Sequence, residues 1–246
     1  PAWYMARGLG MRWMGVLFAI FLLIAYGLIF NSVQANSVSR ALTFAFDIPP
    51  LFSGIALAIV SLLVIVGGIK GVARLMQWFV PMMALLWVGS SIIICLWHIG
   101  QLPDIIVTII KSAFGWQEAA AGAAGYTLSQ AIANGFQRGM FSNEAGMGST
   151  PNAAASAASW PPHPAAQGIV QMIGVLGDTL VVCTASAMII LLAGNGTSYV
   201  PMEGIQLLQK AMVTLTGEWG AGFVAFIVIL FAFSSIRSEE RRVGKE

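Results

Sequence analysis

Arg138, Phe141, Ser142, Asn143 and Glu144 crowd into one short stretch of an otherwise apolar chain. The surrounding segment, residues 135–157, reads GFQRGMFSNEAGMGSTPNAAASA. At membrane depth, charged and amide side chains are costly unless they face protein, water or a solute. Gly139, Gly146 and Gly148 flank them and invite the backbone to unwind. Thr150 followed by Pro151 predicts the N-cap and first position of a new, alanine-rich helix. Half-helices around an unwound centre are how many secondary transporters build a mid-membrane site for solute and ion.

The chemistry of such a break suits a small zwitterion. Unwound carbonyls can hold a cation, and the second half-helix turns its positive end toward the gap. An amino acid carboxylate would take amide donors there, and its ammonium would take carbonyls or a side-chain oxygen. Phe141 is placed to cover the solute, with Ser142 and Asn143 as neutral hydrogen-bonding groups. The plainer reading is a glycine-rich kink that serves packing alone. Arg138 and Glu144 are expected to form a structural or gating ion pair, because buried charges must be neutralised.

Three further groups carry chemistry. Asn31 and Gln34 are three residues apart and share a helix face, for interhelical amide bonding or for a solute. Ser234 and Ser235 close the run FAFSS. Their paired hydroxyls can offer oxygens to Na⁺, or can bond back to their own helix. Asp178 lies inside an apolar run, where a carboxylate serves either as support or as an ion or proton site.

These residues must be positioned by membrane helices. Of 246 residues, 58% are hydrophobic and 9% charged, against about 25% charged in soluble domains. A span needs about 20 mostly apolar residues. Spans are predicted at 13–33, 51–69, 78–99, 169–193 and 219–236, with the broken element at 126–160 as a sixth crossing. Residues 102–116 read as an interfacial amphipathic helix, and 200–218 as an external loop carrying a short helix. Arg7, Arg12, Lys70 and Arg74 place Pro1 on the cytoplasmic side.

Other functions find little support. Cys95 and Cys183 sit singly in apolar runs as small hydrophobes, and His98 and His163 stand alone at segment ends. No triad can be assembled from two histidines, so an enzyme is not expected, nor a cofactor. The run AAAGAAG at 119–125 lacks the GK[ST] of a phosphate loop. A net charge of +2 without a basic patch argues against nucleic acid. Residues 1–236 read as a partial transmembrane domain; 237–246, RSEERRVGKE, read as a charged, non-native tail.

The segment RGMFSNEAGMGSTPNAAASA resembles the signature of the alanine/glycine:cation symporters, the sodium:alanine symporter family. Further blocks occur in the family's order: NSVQANS at 31–37, GGIKGVARL at 67–75, GDTLVVCT at 177–184 and LFAFSS at 230–235. The resemblance implies an all-α, leucine-transporter-like inverted-repeat fold, of which this chain carries about core helices 3 to 8. It implies sodium-coupled uptake of alanine or glycine by a multi-pass protein of a bacterial-type plasma membrane. The alternative is a passive facilitator or channel. It also implies a substrate site of Gln34, Phe141, Ser142, Asn143, Gly146 and Ser235, with Na⁺ at Ser234 and Ser235. The position of Ser235 is usually threonine in the family, and a glycine and tryptophan that follow there are replaced here by the charged tail. A broken first helix, which the family pairs with the sixth, does not lie in this sequence, so these residues alone are not expected to transport.

Overall fold

The computed structural model describes residues 1–66, 69–113, 129, 132–133, 135–136, 148–155, 163–194 and 204–243, with side chains except at 63–77, 153 and 233–243. The described elements are helical throughout. Three described stretches are long and apolar enough to cross a membrane: Arg12–Phe46, Trp78–Trp97 and Pro164–Gly194. Pro50–Leu62 and Trp219–Ala232 are shorter apolar helices. The chain divides into two compact units, one of Pro1–Trp87, Pro151–Ala153 and Tyr199–Glu246, the other of Val88–Thr150 and Ala154–Ser198.

In the first unit, α1 (Ala2–Arg7) folds back on α2 (Arg12–Ile24). The approach is close because residue 15 has no side chain: a Cβ at Gly15 would stand 2.7 Å from the Ala2 carbonyl oxygen. The Arg7 guanidinium lies 3.9 Å from the centre of the Trp3 ring, a cation–π contact on α1 itself.

From α2 the chain continues through a π-helical turn, Ala25–Phe30, into α3 (Asn31–Phe46). The helix therefore runs well past Val33, where the apolar pattern predicted the span to end. The polar residues do not break it because they bond back one turn. Ser32 donates to the Leu28 carbonyl at 2.6 Å, Ser37 to Val33 at 2.9 Å and the Asn31 amide to Gly27 at 3.4 Å.

Asp47 ends α3 in the left-handed conformation, φ 53°, and α4 (Pro50–Val66) returns against it. This corner is tied by hydroxyls. Ser39 and Ser53, both buried, bond to each other and reach the Pro50 carbonyl at 3.1 and 2.9 Å. Thr43 donates to Ser39 and Ile48 carbonyls at 3.0 and 2.7 Å. Then α5 (Ile69–Trp97) carries Pro81 within it.

In the second unit a short 3₁₀ turn, Ile99–Gln101, leads into α6 (Leu102–Ala113), which fits the amphipathic helix expected there. After α7 (Ser149–Ala155), α8 (Pro164–Gly177) starts with the His163 ring accepting from the Ala165 N–H at 3.1 Å. His163 is thus a helix N-cap with proline at the first position, a role its isolation in sequence did not suggest. A second π-helical turn, Asp178–Cys183, joins α8 to α9 (Thr184–Gly194), which packs on α6. Ser91 of α5 donates to the Ala185 carbonyl at 3.1 Å in the buried interior.

Back in the first unit, α10 (Ile205–Thr216) is the short helix expected inside the 200–218 loop. Gly217, at φ +89°, makes the sharp turn into α11 (Trp219–Val243). Only a residue without a Cβ takes that conformation at little cost. The helix continues past Ile236 into the charged residues as far as Val243.

Candidate functional site

Asn31, Gln34, Val38 and Ala41 fall three, seven and ten residues along α3, so they line one stripe of that helix. Val38 and Ala41 are buried, and Asn31 and Gln34 are half-buried above them. The stripe continues into the π-helical turn, where Tyr26 and Phe30 stack at 4.7 Å with an interplanar angle of 10°. Leu22 joins these two rings in an apolar cluster. Among the described residues, the Asn31 side-chain oxygen is buried and has no donor. A turn of π-helix adds a residue to the helix and rotates the face beyond it, which is why such turns gather at functional sites.

Of the elements around α3, α11 makes the most extensive contact, and it also reaches the Ala25–Phe30 turn. The two run antiparallel. Near one end, a Cβ at Gly222 would meet the Phe46 ring at 3.4 Å. Near the same end, the Ala41 and Ala221 carbonyls accept from one amide, that of Gln209. Counted outward from these two contacts, the level of Gln34 on α11 falls between residues 228 and 234. Ser234 therefore stands within about 9 Å of that level along the axis, at 1.5 Å per residue. Ser235 follows the buried Ala232 by three residues and keeps the register of Ala221, Ala225 and Ala232. Along the axis, the backbone therefore puts the positions of Ser234 and Ser235 within about two helical turns of the level of Gln34.

Phe141, Ser142, Asn143 and Gly146 lie outside the described residues, as do Arg138 and Glu144. The described backbone resumes at Gly148, whose φ of +86° precedes α7. The helix starts at Ser149, so Thr150 is not its cap and Pro151 is its third residue. Proline is tolerated there because the first four N–H groups of a helix have no internal partner. Asp178 opens the second π-helical turn and is half-buried. No cluster of three or more His, Cys, Asp or Glu that could hold a metal occurs among the described residues.

One residue escaped the sequence reading. Gln209 of α10 is fully buried, and its amide donates to Ala41 of α3 at 3.0 Å and to Ala221 of α11 at 3.1 Å. The signal was available: Gln209 stands between Leu208 and Ala211 on a face that also carries the buried Met212.

The family model described as the sodium:alanine symporter family matches residues 1–241. This chain belongs to that family. Relatives extend along the same length. The uncharacterized transporter YaaJ of Escherichia coli K12 is 75% identical over 236 residues, which cover 96% of this chain and 50% of that protein. The probable sodium/glutamine symporter GlnT of Bacillus subtilis is 44% identical over 96% of this chain and 48% of its own length. The sodium/alanine symporter AgcS of Methanococcus maripaludis is 36% identical over 94% of this chain and 49% of its own. The chain spans about half the length of the curated relatives it matches. The sodium:alanine symporter family is one of transporters, not of enzymes, and the long apolar helices fit a membrane transporter.

Proposed function

We propose that the protein to which these residues belong couples Na⁺ to the symport of a small neutral amino acid, alanine or glycine, across the plasma membrane. The single observation that carries this is the family match over residues 1–241, together with relatives named as sodium/alanine and sodium/glutamine symporters. The fold we infer is the multi-pass, leucine-transporter-like inverted repeat, with core helices 3 to 8 in this chain and a helix unwound near 141–149. In this reading Gln34, Phe141, Ser142, Asn143, Gly146 and Ser235 bind the amino acid. Ser234 and Ser235 offer hydroxyl oxygens to Na⁺.

The chemistry favours a neutral substrate. The inferred binding residues are amides, hydroxyls, a phenyl ring and backbone, which can satisfy a zwitterion without a fixed countercharge. A hard cation such as Na⁺ takes oxygen ligands and would add positive charge near the substrate carboxylate, so each would favour the other's binding. A passive facilitator would lack that coupling. Uptake of labelled alanine by the full-length protein in proteoliposomes, with and without an inward sodium gradient, separates the two. Symport predicts accumulation only with the gradient; equal flux in both conditions would establish the facilitator.

A further inference from the structure

The polar group that joins α3 to α11 belongs to neither helix. Gln209 sits on α10 with none of its surface exposed, and both hydrogens of its amide have a carbonyl to meet. One is on Ala41 of α3 and the other on Ala221 of α11, so one planar group holds the two oxygens within about 6 Å of each other. Both carbonyls lie inside helices and can also serve their own helical N–H partners. The bonds therefore add a link between helices rather than finish one.

Apart from the Phe46 ring set against Gly222, the buried side chains of the two helices give little to fix height. Val38 and Ala41 of α3 and Ala221, Val224 and Ala225 of α11 are buried, small and apolar, and dispersion between such side chains has little directional preference. Hydrogen bonds to two carbonyls are directional and lapse within a few tenths of an ångström. The Gln209 side-chain oxygen is buried without a donor among the described residues, which costs free energy that an apolar side chain would not. A residue that keeps such a cost while bridging three helices is suited to set position rather than to add stability.

We propose that Gln209 is a positioning residue: by donating to Ala41 and Ala221 it fixes the axial register of α3 against α11. It thereby sets the separation of Gln34 from Ser234 and Ser235. The link to transport rests on the reading of those residues as substrate and sodium positions, whereas the register does not.

The test uses the full-length protein with every cysteine, Cys95 and Cys183 included, replaced by alanine. Val38→Cys on α3 is paired in turn with a cysteine at each position from 224 to 231 on α11, and oxidative cross-linking is mapped with Gln209, Gln209→Met and Gln209→Leu. Alanine uptake is measured in the same three backgrounds without the cross-linking cysteines. The expected result is one sharp cross-linking maximum with Gln209, which moves by about one turn or spreads in both variants. The KM for alanine then rises about tenfold or more while the maximal rate per folded carrier is retained, since small misplacements cost large factors. A maximum that stays in place would overturn the proposal, as would loss of folded carrier in both variants, which would make Gln209 a fold residue. A maximum that moves with KM unchanged would overturn the link to Gln34. Absence of sodium-driven uptake with Gln209 intact would instead sink the transport reading, and the cross-linking map would still decide the register.

Discussion

Gln209 donates its amide hydrogen to the Ala41 carbonyl at 3.0 Å, joining residues 168 apart in sequence. The bond closes α10 onto the end of α3 opposite Gln34, and its twin at Ala221 closes α10 onto the start of α11. The polar positions of the α3–α11 seam thus sit at a measured distance along two helices from one fixed point.

At Gly15 the Ala2 carbonyl is so near that even a methyl group forces a shift. Gly15→Leu should separate α1 from α2 and cost about 1–3 kcal/mol, the range for overpacking. The check is thermal unfolding in detergent followed by tryptophan fluorescence, where Trp3 lies on the displaced helix. A variant as stable as the parent would show that α1 does not rest on α2.

The hydroxyl pair of Ser39 and Ser53 is one unit. Removing either leaves its partner with less to bond, so Ser39→Ala and Ser53→Ala should each destabilise by about 0.5–2 kcal/mol. The double variant should cost less than the sum of the two, a coupling readable in a double-mutant cycle of unfolding in mixed micelles. Strict additivity would mean that the hydroxyls act separately.

Asp47 takes a left-handed conformation that a Cβ disfavours, at φ 53°. Asp47→Gly should be neutral or slightly stabilising, whereas Asp47→Val should cost about 1–2 kcal/mol at the α3–α4 corner. Equal stabilities of the two variants would contradict this account of the corner.

The broad architecture was legible because apolar length is a strong signal. The spans at 78–99 and 169–193 find their helices in Trp78–Trp97 and Pro164–Gly194, and the 200–218 loop holds Ile205–Thr216. Where the pattern misled, local hydrogen bonds outweighed composition. Ser32 and Ser37 bond back to Leu28 and Val33, so a polar run that suggested the end of a span stays helical to Phe46. The start of α7 at Ser149, one residue ahead of the Thr150–Pro151 signal, follows from the positive φ of Gly148. The π-helical turns at Ala25–Phe30 and Asp178–Cys183 have no mark in composition, because one inserted residue depends on packing beyond the helix itself.

Candidate chemistry was legible as residue type but not as arrangement. Gln34 announced itself as an amide beside an apolar span, and Ser234 and Ser235 as paired hydroxyls. That their helices pack antiparallel is a tertiary fact carried by Gly222, Phe46 and Gln209. In the sequence Gln209 is one polar residue within 200–218, and its two carbonyl partners, on Ala41 and Ala221, come only from tertiary structure.

Sodium influx driven by alanine is the most direct measure of coupling. Proteoliposomes holding the full-length protein should take up labelled Na⁺ when alanine is added on the same side, and Asn143→Ala should abolish that stimulation. Sodium entry indifferent to alanine, or an Asn143→Ala protein that still couples the two, would contradict the account.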